Sequence, residues 1–106
     1  MIDPGLDTES ISATLNQETG KIRWHELQRF FAGGHAIAVD SSLDLTYVAA
    51  QIVADNAPQI KLWMDAQLVD VVKDEQAQLW YQQNAVVWAV VIKPWVLVQY
   101  SAEQSL

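Results

Sequence analysis

The sequence contains no cysteine. That removes disulfides, thiol nucleophiles and every cysteine-bearing metal cluster, and it leaves the redox compartment open. Basic residues are few: six Lys and Arg stand against thirteen Asp and Glu, for a formal charge of −7. A surface of that sign repels phosphate backbones and anionic lipid, so nucleic acid and membrane are disfavoured as partners. Long apolar runs are missing as well. The most apolar stretch, residues 85–98, is too short to span a bilayer and contains Lys93 and Pro94. Residues 1–9 carry Asp3, Asp7 and Glu9 without a signal-peptide core, which points to the cytoplasm.

What is present describes a globular chain. Its 106 residues suit one domain, 51% hydrophobic and 18% charged, with residues 1–7 as a loose end. Thr8 can cap a first helix with Ile11 and Leu15 on one face, weakened near Gly20. A second helix starts near Arg23, with Trp24, Leu27, Phe30 and Phe31 at helical spacing and Gly33-Gly34 as its stop. Residues 36–39 read as a strand, and residues 40–42 as a turn.

Leu45, Val48, Ala49 and Ile52 then form a clean helical face, with Asp44 in the first turn. A break at residues 55–58 leads into a fourth helix with Ile60, Trp63 and Met64 as its apolar side. Residues 68–72 alternate as a strand, and Asp74 caps a fifth helix with Leu79 and Trp80. Residues 86–92 and 95–100 are rich in β-branched and aromatic types, so both read as strands. Lys93-Pro94 between them fits a hairpin or a bend in one long strand. The result is an α+β domain: helix pairs on a small sheet of three to four short strands.

Several motifs run through this order: Glu18-Thr19-Gly20-Lys21-Ile22, Trp24-His25-Glu26-Leu27, Phe30-Phe31-Ala32, Leu43-Asp44-Leu45, Ala54-Asp55-Asn56 and Trp63-Met64. Asp74-Glu75-Gln76-Ala77, Trp88-Ala89-Val90-Val91 and Pro94-Trp95-Val96-Leu97-Val98-Gln99 complete the set. Together they resemble a family of short bacterial proteins known only as a domain of unknown function. The resemblance implies a bacterial stand-alone domain and carries over no activity, cofactor or site residue. Gln67 stands where that family's glycine is expected, which argues against a left-handed helix cap there.

The segment 45–72 is similar to a helix-turn-helix followed by a wing strand, a winged-helix-like arrangement. In that picture Gln59, Lys61 and Leu62 of the fourth helix face a nucleic acid, with Asp65 beside them. One lysine among aspartates is not a basic footprint, so this reading ranks second. His25-Glu26 lacks the second histidine of a metalloprotease motif, and His25 with His35 is not a known ligand spacing. Asp40, Asp44, Asp55, Asp70 and Asp74 supply carboxylates, most of them explained by capping. Gly33-Gly34 lacks the further glycines and the lysine of a phosphate loop. No serine sits in a nucleophile elbow. Lys21, Arg23 and Arg29 form a small basic cluster on the early helices.

An enzyme therefore ranks last, and no metal or cofactor is implied. The first expectation is a non-enzymatic interaction domain that self-associates as a homodimer and can engage a further protein partner. Five tryptophans are many for this length. Trp88, Trp95, Leu97 and Tyr100 of the terminal strands are the expected interface, since an open apolar sheet face is often covered by a second copy.

Overall fold

The computed structural model describes residues 19–106. The expected first helix, with Thr8, Ile11 and Leu15, and the loose end at 1–7 lie outside the described residues. The described elements are β1 (Gly20–Arg23), a 3-10 turn (Trp24–Leu27), α1 (Gln28–Ala32), β2 (Ala36–Val39), α2 (Leu45–Val53), α3 (Ala57–Asp65), β3 (Val69–Val71), α4 (Asp74–Gln82), β4 (Val86–Ile92) and β5 (Trp95–Tyr100). The strands form one mixed sheet in the order β1-β4-β5-β2-β3. Only the β2–β5 pairing in it is parallel.

The sheet has more strands than the sequence suggested, because Gly20–Arg23 is extended where a helix end was expected. Ile22 lies opposite Val87 and Lys21 opposite Trp88. The apolar outer edge of β4 needs a partner, and that pairing overrides the weak local preference of a segment holding one glycine and two cations. The basic cluster is dispersed as a result. Lys21 sits 5.3 Å from the Trp88 ring centroid, Arg23 donates to the Asn84 carbonyl at 3.1 Å, and Arg29 is on α1 beside Phe30. Lys93-Pro94 forms the two-residue turn of a β4–β5 hairpin that pairs Ile92 with Trp95.

Helices cover both faces. On one, Leu45, Val48 and Ala49 of α2 pack against Val39, Val69, Val90 and Leu97 of the sheet, with Trp63 of α3 alongside. On the other, Trp24, Leu27, Ala77 and Trp80 pack against Ala36, Val87, Val96 and Val98. The two faces follow from the strand alternation: Val96 and Val98 point one way, Leu97 the other. Trp24 is fully buried, and its indole N–H donates to the Ala77 carbonyl at 3.1 Å, so its polar handle is satisfied.

Helix ends are built from few parts. Asp44 is the N-cap of α2, accepting from the backbone N–H groups of Thr46 at 3.0 Å and Tyr47 at 3.4 Å. Asn56 caps α3. Asp74, expected as a cap, is instead the first helical residue of α4; Lys73 is the N-cap and makes no side-chain cap bond. Gly34, Asp55, Gln67 and Asn84 follow the four helices with φ of 77°, 56°, 62° and 51°. Each is followed by an N–H that bonds back to the last turn, as from Leu68 to Trp63 O at 2.8 Å and from Ala85 to Trp80 O at 2.9 Å. This is the Schellman closure. Gln67 thus adopts the left-handed cap its side chain argued against, because Trp63 and Val69 are tied into the core on either side.

Beyond β5 the chain folds back onto β4. The Gln104 carboxamide accepts from Val86 N–H at 2.8 Å and donates to Val86 C=O at 2.9 Å, standing in for a strand partner. Glu103 also pairs with Lys21 of β1 at 3.6 Å.

Candidate functional site

The four residues expected at an interface do not share one surface. Trp95, Leu97 and Gln99 alternate onto the α2–α3 face, while Tyr100 falls on the α4 face with Val96 and Val98. Leu97 is 0% exposed beneath α2, so it belongs to the core. Trp88 and Trp95 are on the same face, but buried Val90 and Leu97 lie between them. Trp88 lines a small groove with Asp44, Thr46 and Gln99.

At the other end of that face Trp95 has apolar company. It is 36% exposed, faces Ile92 across the hairpin, and meets the His35 ring edge-on at 5.4 Å. Ile37 of β2 pairs with Val71 of β3, which is 44% exposed. Val71 and Ile37 stand in one row with buried Leu97 and Val90, and Trp95 and Ile92 in the next row out; of these four apolar residues Val71 and Trp95 are the exposed ones, while Ile37 and Ile92 pack against the core.

Tyr100 opens onto a different feature. A cleft of about 570 Å³ runs between α4 and the β2–β3 side of the sheet. Its floor is Ala38, the smallest side chain in the row Val98–Ala38–Asp70. Tyr100, 42% exposed, lies nearly parallel to Trp80 with centroids 6.5 Å apart and interplanar angle 18°. Asp40, Asp65 and Asp70 bring three carboxylates to the walls, and Lys73 brings one ammonium. Ser42, through its hydroxyl and its backbone N–H, holds the Asp40 carboxyl below its ordinary value of 3.8. The Asp70 carboxylate accepts from Val71 N–H at 2.8 Å. Sequence reasoning named Asp40 and Asp70 as loose carboxylates and did not bring them together with Asp65, Trp80 and Tyr100. The alternation of β5 was the one local signal that placed Tyr100 opposite Trp95.

The remaining candidates are scattered. Lys61 and Leu62 are exposed on α3, Leu62 at 63%, and Gln59 is half-buried. β3, which follows α3, pairs with β2 inside the main sheet. His25 stacks on Tyr81 at 4.1 Å, with its Nε2 2.9 Å from the Tyr81 carbonyl oxygen, on the α4 face. His35 packs on Trp95 on the other. The two histidines therefore cannot share a metal. Among the described residues no group of three His, Asp or Glu side chains is placed to hold a metal ion. No described helix is long and apolar enough to cross a membrane.

A family model described as "Protein of unknown function (DUF2288)" matches residues 10–100. The chain is also similar to a protein whose title reads "NMR solution structure of PA1075 from Pseudomonas aeruginosa". The two are 33% identical with a TM-score of 0.78, and the match covers 100% of this chain and 98% of that one. No curated protein matches the sequence.

Proposed function

The chain belongs to the DUF2288 family, and we propose that it is a non-enzymatic protein-interaction domain of the bacterial cytoplasm that self-associates as a homodimer. The observation that supports this most is that two large apolar side chains, Val71 and Trp95, stand exposed at one end of the α2–α3 sheet face. Exposed apolar side chains on one face of a small domain favour an isologous two-fold contact, in which the same residues meet themselves. The proposed contact keeps Trp95, adds Val71, and leaves out Trp88, Leu97 and Tyr100. The bacterial relative supports the setting.

Light scattering on the full chain tests it. The wild type is expected at twice 11.9 kDa and Trp95→Asp at 11.9 kDa. A Trp95→Asp protein that remains dimeric refutes this surface, and a monomeric wild type refutes self-association.

A second, winged-helix-like reading draws on α2 and α3, joined by the short turn Ala54–Asn56, with Lys61 and Leu62 outward on α3. Its electrostatics are poor, since Asp55 and Asp65 flank a single lysine. Retention on sheared DNA at low salt, lost by about 200 mM, would favour it over the interaction reading.

A further inference from the structure

We propose that the cleft between α4 and the β2–β3 side of the sheet takes a guanidinium or ammonium side chain from a basic segment of a partner protein. The inference rests on the interaction reading above; Val71 lines the cleft and also belongs to the proposed dimer contact, so binding is measured on the wild type and on Trp95→Asp alike. The cleft's volume suits one or two side chains and not a folded surface.

Charge complementarity selects the occupant. Three carboxylates, Asp40, Asp65 and Asp70, face one ammonium, Lys73. The balance is negative and sits on a chain already at −7. A phosphate or carboxylate ligand meets repulsion there. An aliphatic side chain would fill the Ala38 floor but leave the negative charge unbalanced, because the bonds from Ser42 to Asp40 and from Val71 N–H to Asp70 bring no positive charge. A Lys or Arg side chain answers both: its stem lies along Ala38 and the face of Tyr100, and its charged head reaches the aspartates. Trp80 lines the same cleft, its ring nearly parallel to that of Tyr100. Asp40 is ionised at neutral pH, as a pairing site requires.

The test titrates a hexa-arginine peptide into the 15N-labelled full chain at about 0.1 M salt, where long-range attraction is screened. Amide shifts are expected to cluster at Ala38, Asp70 and Tyr100. Affinity is expected to fall about five-fold in Asp70→Asn and in Tyr100→Ala, and to change by less than about two-fold in Tyr100→Phe and in Glu75→Gln. Glu75 is exposed on α4 away from the cleft, so Glu75→Gln removes the same charge elsewhere. Asn at position 70 keeps an oxygen for Val71 N–H, so the strand edge is preserved. If Tyr100→Ala loses spectral dispersion, Asp65→Asn takes its place.

Equal weakening by Glu75→Gln, shifts spread over the whole acidic surface, or no binding overturns the proposal. Unimpaired binding by a Trp95→Asp monomer shows the cleft acting alone. Failure of hexa-arginine on both the dimeric wild type and the Trp95→Asp monomer sinks the cleft and leaves the self-association reading intact.

Discussion

The Asp70 side chain accepts a hydrogen bond from the backbone N–H of its neighbour Val71 at 2.8 Å. β3 is an edge of the sheet. Val72 N–H donates to Ala36 O and Asp40 N–H to Leu68 O, so the strand's alternation turns Val71 N–H away from β2. The carboxylate thus occupies a donor that a foreign strand would otherwise use, and it places a charge at the edge. The proposed contact between copies through the Val71 and Trp95 side chains would then be a face contact, not an extension of the sheet.

Asp70→Ala is expected to expose that donor. Stability should fall by about 1 kcal/mol, and light scattering should show larger species growing with concentration. Asp70→Asn should stay close to wild type, because its amide oxygen keeps the bond. Identical scattering from all three proteins would show that the edge needs no guard.

Gln67 holds a left-handed conformation at φ 62° behind α3. A non-glycine residue there costs roughly 1 kcal/mol, which glycine avoids at some expense in unfolded-chain entropy. Gln67→Gly should therefore raise stability by about 0.5–1 kcal/mol in urea unfolding. The same change at Gln59, inside α3, should lower it.

Asp44 anchors α2 through Thr46, whose hydroxyl also donates to it at 2.7 Å. Asp44→Ala should cost about 1 kcal/mol near neutral pH. The bond from Thr46 lowers the carboxyl below its ordinary 3.8, outweighing desolvation, which raises it. A depressed folded-state value gives stabilisation that is present above the unfolded value and lost as pH falls through the folded one. The gap between wild type and Asp44→Ala should accordingly narrow as pH drops below 3.8. A gap that stays constant down to about pH 2 would contradict the ionised cap.

Gln104→Ala should leave the buried Val86 N–H without its acceptor, at a cost of about 1–3 kcal/mol. Ser101 N–H still reaches Val86 O at 3.2 Å, so the carbonyl is spared. Hydrogen exchange is the sharper readout: protection should drop at Val86 while the β4–β5 hairpin pairing at Val90 and Leu97 stays slow.

β2, β4 and β5 were legible because their side chains are dense in Val, Ile, Ala and aromatics, and α2 because Leu45, Val48 and Ala49 repeat at helical spacing. β1 was not legible. Four residues with a glycine and two cations carry little local preference, and only the edge of β4, over sixty positions later, makes them a strand. The four residues named for an interface do not share a face, and periodicity already said so for two of them: Leu97 and Tyr100 are three apart in a strand and point to opposite sides. The cleft draws Asp40, Asp65, Asp70, Trp80 and Tyr100 from separate elements, so no spacing in the chain announces it.

The position of β5 bears on how the sheet is held together. Trp95–Tyr100 fills the middle of the sheet, antiparallel to β4 on one side and parallel to β2 on the other. Without it, β1 with β4 and β2 with β3 would be two separate ribbons, each showing an unpaired inner edge. One strand thus makes a single cooperative unit of two hairpin-sized parts, and damage to its backbone pairing would open both inner edges at once.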